Sequence, residues 1–111
     1  MKDTKLEISM LCDIYGSLLS EKQRESVTLY CDEDFSLSEI AENAGISRQG
    51  VRDQIKHAEA QLALYEEKLG LLEKYTSVSR LLSELAASDA VKADAALAGV
   101  VQNIRNILNL D

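Results

Sequence analysis

Proline is absent from the 111 residues and glycine occurs only five times, while Leu, Ala, Glu, Ser and Lys are abundant. Such a chain favours helices joined by short turns over sheet, so an all-α fold is expected. Long apolar runs are also missing. Nothing approaches the roughly 20 consecutive residues that span a bilayer, which argues against membrane insertion. The opening stretch MKDTKLEISMLCDIYG is acidic and amphipathic, where a secretory leader is basic with an apolar centre, and a cytoplasmic location is expected. Cysteine is scarce: Cys12 and Cys31 stand among apolar neighbours and read as reduced core thiols. His57 is the single histidine, and without CxxC, HExxH or a carboxylate cluster at ligand spacing neither a metal nor another cofactor is expected. A Cys31/His57 nucleophile pair would lack any phosphate-cradling glycine loop or oxyanion motif, so no enzyme is expected.

What the chain does contain is helical punctuation. Leu6, Met10, Leu11, Ile14, Tyr15 and Leu18 recur at spacings that place them on one side of a first helix over Leu6 to Leu19. Ser20 with Gln23 forms a capping box that starts a second helix, running to about Tyr30. Ser36 with Glu39 starts a short third, Gly45 stops it, and Ser47 caps the fourth. Val51, Ile55, Ala58, Leu62, Tyr65, Leu69 and Leu72 then alternate spacings of four and three, a heptad seam along one long helix. After EKYTS a fifth helix carries Val78, Leu81, Leu82 and Leu85, and a sixth, starting near Asp89, carries Leu97, Val101, Ile104 and Leu108 on one stripe. The expected division is residues 1–69 as a helix-turn-helix module, with helix four running to about 72. Residues 73–111 then form a C-terminal helical hairpin that packs on the long helix or on a partner chain.

The stretch SEIAENAGISRQGV meets the needs of a helix-turn-helix corner: small Ala41 where the helices touch, Gly45 in the turn, and Ile40, Ile46 and Val51 as the apolar wedge. It departs at one point, with Gln54 where many such motifs are apolar. On the fourth helix Arg48, Arg52 and Lys56 stand four apart and form one exposed basic stripe beside Ser47, Gln49 and His57. Lys22 and Arg24, at the start of helix two, are further candidates for phosphate contact. The balance of charge points the other way. The chain carries -7 overall, and residues 1–65 hold seven Lys or Arg against twelve Asp or Glu, a net of -5. Operator-binding domains often have a pI above about 9 and draw affinity from phosphate neutralisation. This chain has pI ≈ 4.7, so nucleic-acid binding is expected to be local, salt-sensitive and modest, or assisted by a protein.

Leu11 to Leu69, LCDIYGSLLSEKQRESVTLYCDEDFSLSEIAENAGISRQGVRDQIKHAEAQLALYEEKL, closely resembles the YlxM family of small bacterial helix-turn-helix proteins associated with the signal recognition particle. The runs YGSLLSEKQR, SLSEIAE and ISRQGV, in that order, carry the likeness. The last two are also similar to region 4 of sigma factors, which binds promoter DNA. The resemblance implies an all-helical protein with a sigma-region-4-like half and no catalytic activity. It further implies binding of the particle's RNA and modulation of its GTPases, with Ser47, Arg48 and Gln49 standing on the family's SRQ. Three functions follow as alternatives. The first is an accessory of the signal recognition particle, binding its RNA, its GTPase or the receptor. The second is a DNA-binding regulator that dimerises to place two recognition helices on duplex DNA. The third is a structural adaptor whose corner serves packing alone. A homodimer through the seam from Val51 to Leu72 and the C-terminal helices is also expected.

Overall fold

The computed structural model describes residues 4–110, all of whose regular structure is helical. The chain divides into two compact units, Met1–Gly70 and Leu71–Asp111. In the first, α1 spans Thr4–Tyr15 and runs into a single 3-10 turn, Gly16–Leu18. Helices α2 (Glu21–Cys31), α3 (Leu37–Ala44) and α4 (Arg48–Leu69) follow. The second unit holds α5 (Leu71–Ala87), the single-turn α6 (Asp89–Lys92) and α7 (Ala95–Leu108).

The helix starts are those the side chains dictate. Ser20 and Ser36 each accept from the backbone N–H three residues on, while Gln23 and Glu39 reach back to the N–H of their own cap residue. Both are complete capping boxes, each satisfying two donors that a helix start leaves unpaired. Ser47 accepts from Gly50 N–H at 3.0 Å and starts α4. At the other end of α3, Gly45 takes φ +71° and the N–H of Ile46 returns to the Ala41 carbonyl at 3.1 Å. This left-handed stop costs an L-residue strain that glycine escapes, and it turns the chain within three residues into α4.

The corner is held by Ile40, Ala41, Val51 and Ile55, all buried, with Leu29, Tyr30, Phe35 and Leu37 packed around them. Ala58 and Leu62 continue the buried face of α4. Half of the expected seam, Val51 to Leu62, is thus filled by the chain's own helices, because α1, α2 and α3 all pack on α4. Polar ties join the same elements. Ser26, buried on α2, donates to Gln54 Oε1 at 2.7 Å, so the residue that departs from the usual apolar pattern completes a hydrogen bond between α2 and α4. Tyr15, 1% exposed, donates to Glu66 Oε1 at 2.7 Å and lies 5.8 Å from the Tyr65 ring.

Three sequence expectations need correction. The buried face of α1 is Ile8, Leu11, Cys12, Tyr15 and then Leu19, whereas Leu6, Met10 and Leu18 are exposed, because Ile8 and Cys12 complete an i, i+4, i+7 row with Tyr15 that packs on the other helices. Helix four stops at Leu69 instead of about 72, since Gly70 adopts φ +62° and its N–H closes on the Glu66 carbonyl at 2.8 Å. The next helix therefore begins at Leu71, before EKYTS. Among the described residues the tail has three helices where two are expected: Ser88 caps α6, and Asp94, accepting from the N–H groups of Ala96 and Leu97, restarts the chain as α7.

The second unit buries Leu82, Val91 and Val101 with Val78, Ala86, Ile104 and Leu110 against them. Arg105 is buried as well and donates to Ser83 Oγ at 2.8 Å, linking α7 to α5.

Truncating Ile40 to Ala should destabilise the protein by about 2–5 kcal/mol in urea unfolding, through lost transfer energy and the cavity left in the corner. Gly45→Ala should cost about 1–2 kcal/mol because an L-residue is forced into the left-handed region. Leu64→Ala, at a half-exposed position of the same long helix, should change stability by less than about 1 kcal/mol.

Candidate nucleic-acid interface

Four of the seven sequence-predicted residues, Ser47, Arg48, Gln49 and Arg52, line one groove together with Ser36, Leu37 and Ser38. The groove has a volume of about 620 Å³ and is bounded by the first turns of α3 and α4. Two helix N-termini therefore share it. The first N–H groups of each helix lack intrahelical acceptors, and the positive ends of both macrodipoles favour an anion there. Each cap serine already occupies one donor, Ser36 that of Glu39 and Ser47 that of Gly50. The amides of Leu37, Ser38, Arg48 and Gln49 precede those donors in their helices.

Among the described residues neither Arg48 nor Arg52 enters an ion pair, so both guanidinium groups keep their five donors for a ligand. Gln49 is held instead, its Nε2 donating to Asp53 Oδ1 at 2.9 Å. That bond ties the acid to a neutral side chain of its own helix and leaves the arginines unneutralised by it. Opposing charge is nevertheless present: Glu39 accepts from the Ser36 backbone N–H, and this bond with the Ser36 side chain holds its carboxyl below the ordinary range. The groove is thus an arginine site with an ionised carboxylate one turn away.

Lys56 continues the basic row along α4 but does not line the groove. Lys22 and Arg24 lie on α2 and are likewise outside it. Arg24 has its Nε 3.3 Å from where a Cβ on Gly16 would stand, which places it beside the end of α1. Sequence reasoning missed Ser36, Leu37 and Ser38. Ser36 was legible as a helix start, and the signal that it belongs to the site is that both capped starts flank one corner.

A family model described as "Putative helix-turn-helix protein, YlxM / p13 like", UPF0122, matches residues 2–103. The chain is 52% identical over 85 residues to a UPF0122 protein of Halalkalibacterium halodurans, covering 77% of this chain and 78% of the relative. It is 43% identical to one from Shouchella clausii over 111 residues, the whole of both chains. The chain belongs to the UPF0122 family. The family's description names a helix-turn-helix, and the match extends past the corner into the second unit.

In this UPF0122 chain the two thiols sit in surroundings opposite to those that activate a nucleophile. Burial pushes Cys12 above its ordinary value, with Arg24 working the other way. Cys31 is pushed up to about 11, by burial first and then by Asp32 and Glu59. Among the described residues no three His, Cys, Asp or Glu side chains are grouped to hold a metal ion, and no helix is long and apolar enough to cross a membrane.

A thiol titrating at about 11 instead of 9.0 carries about 100-fold less thiolate at pH 8. Iodoacetamide labelling of Cys31 at that pH should accordingly be slower in the folded protein than in urea by about that factor. Equal rates would show a thiolate that burial and neighbouring acids do not suppress.

Proposed function

We propose that this protein is a non-enzymatic accessory and regulatory component of the signal recognition particle pathway, binding the particle's RNA through the groove between α3 and α4. The observation that carries the reading is the pair of arginines, Arg48 and Arg52, without ion-pair partners among the described residues, at a groove shared by two helix N-termini. The resemblance of Leu11 to Leu69 to YlxM proteins supports the particle's RNA as the ligand, and the basic groove offers a way to hold its phosphates. Acidity fits the same role. A chain of net charge -7 gains little from long-range attraction to phosphate, but it complements a basic, RNA-bound GTPase or its receptor, which would steer and orient the encounter. RNA contact is then local and the protein partner supplies the remaining affinity.

The test is a titration of the particle's RNA, and of duplex DNA of equal length, across a range of salt. Wild-type protein should prefer the RNA. Replacing Arg48 and Arg52 together by Ala should weaken binding at least about tenfold and flatten the slope of log K against log salt by about 1.4–1.8, as two lost phosphate contacts predict. Lys22→Ala with Arg24→Ala, outside the groove, should leave most of the affinity in place. Tighter binding to the duplex would favour a DNA-binding regulator, and an unchanged slope in the arginine variant would move the contact elsewhere.

A further inference from the structure

We propose that a second copy of this chain docks on the apolar face of the C-terminal unit formed by α7 and the adjoining edge of α5. The unit is small and its hydrophobic surface is incompletely used: Leu82, Val91 and Val101 are buried, but Leu81, Leu85, Leu97, Val100 and Ile107 are 53%, 48%, 47%, 54% and 78% exposed. Together these five residues expose on the order of 400 Å², within the roughly 300–600 Å² of the largest apolar patch on a typical monomer, which is often functional.

The exposed residues share a side of the unit. The hydrogen bond from Arg105 to Ser83 marks one edge of the α5–α7 contact. Leu81 and Leu85 each stand two residues from Ser83, and Ile107 stands two from Arg105. Two residues are about 200° of helix, so all three turn away from the edge that the bond occupies. Val100 lies seven residues before Ile107 and shares its stripe. Along α7, Ala96, Gly99, Val100, Asn103 and Ile107 follow the i, i+3, i+4, i+7, i+11 pattern of a helix-packing face, and all five are exposed.

Charge decides the occupant. Two copies that each carry -7 repel wherever they display carboxylates. Helix α7 has no Asp or Glu, and its one charged residue, Arg105, is buried against Ser83. On α5 the nearest acid to the patch, Glu84, is matched by Arg80 at 3.1 Å. A two-fold axis brings a surface against itself, which this surface tolerates and the acidic ones do not. A basic protein or an anionic lipid surface would be drawn by charges that α7 lacks.

Two details agree with a second helix lying on the first. Gly99 sits inside α7, where glycine weakens a helix relative to alanine, and a Cβ placed there meets nothing within 4 Å. The chain's own packing gives no reason for a glycine, whereas a helix approaching from outside does. Asn103 has no hydrogen-bond partner among the described residues, while Gln102 and Asn106 bond each other at 3.0 Å. An amide both donates and accepts, so Asn103 pairs with the same residue of a second copy and sets the register of the two helices.

Sedimentation equilibrium of the full chain from 1 to 100 µM tests the proposal. Wild type should form dimers with a micromolar Kd, and Val100→Asp with Ile107→Asp should be monomeric with an unchanged far-UV circular dichroism spectrum. Gly99→Leu gives a second, folding-proof readout: its Tm in the dilute monomer should rise or hold, since the position is open and leucine is the better helix former, while its dimer weakens at least tenfold. A wild-type chain that is monomeric throughout, or a dimer indifferent to these three substitutions, overturns the proposal, as does a dimer lost only when Leu6 and Met10 of α1 are replaced.

Discussion

Everything at the groove depends on one contact, the packing of Ile40 and Ala41 on α3 against Val51 and Ile55 on α4. Ile40 lies four residues after its cap Ser36, and Val51 lies four after Ser47, about one helical turn in each case. Anchoring the two isoleucine and valine side chains together therefore brings both capped starts to the same place. The turn between them has little freedom, because Gly45 in the left-handed region and the Ile46 to Ala41 bond fix the direction in which α4 departs. The arginines then follow from periodicity. Arg48 and Arg52 are four apart, and so are Val51 and Ile55; each arginine stands three residues before its apolar neighbour, about 60° around the helix, so the exposed arginines flank the buried pair at the rim of the corner. A site that prefers anions arises at the edge of a hydrophobic contact.

How far this was legible from sequence depends on how local each signal is. Capping boxes, the Gly45 stop and the Ile40–Val51 wedge are written within a few residues, and the structure has them where the letters put them. The orientation of α1 is ambiguous in sequence because seven of its 12 residues are apolar and spread around more than half of its circumference, and only the packing of other helices selects Ile8, Leu11, Cys12 and Tyr15. Cys12, which reads from sequence as a core thiol, stands four residues after Ile8, and a stripe that omits both turns the expected face through a large angle. Gln54 shows the same limit from the polar side. Its partner, Ser26, is 28 positions away, so no window around the motif reveals that the polar residue is satisfied. The heptad seam was a true periodicity with a wrong continuation: the apolar rhythm crosses Gly70 without a break, but the left-handed backbone there does not. Pattern alone does not distinguish a helix that continues from one that stops and starts again in phase.

The acidity that made a phosphate-binding corner look contradictory is unevenly arranged. Asp32 accepts a hydrogen bond from Ser9, and Asp34 pairs with Lys5 at 3.5 Å, so two acids of the loop before α3 are engaged with α1. Lys5 also lies over the Tyr30 ring at 4.2 Å, which fixes it near that loop. Asp53, on the arginine-bearing helix itself, accepts from Gln49. None of these contacts removes charge, and Asp34 remains 88% exposed. Their effect is positional: the acids are held on particular partners, and at physiological salt their fields decay over about 8 Å. Net charge therefore describes long-range encounter, where an acidic molecule is slow to approach another polyanion. It does not describe what happens at contact, where a guanidinium and two helix N-termini outweigh a carboxylate a turn away.

The two units differ chemically. The first buries a wide apolar face in four helices and displays charge of both signs around its corner. The second, with 41 residues, lies near the size at which a single core is marginal, and it leaves five large apolar side chains open while placing no acid on its last helix. Polar surface on α7 would have been available at no cost in packing, since Val100 and Ile107 bury little within the chain. Apolar residues at such positions gain nothing from the isolated fold, and their free energy is recovered only when another surface covers them. The helix-turn-helix unit and the C-terminal unit thus present opposite surfaces, one suited to charged ligands at short range and one suited to an uncharged helix face.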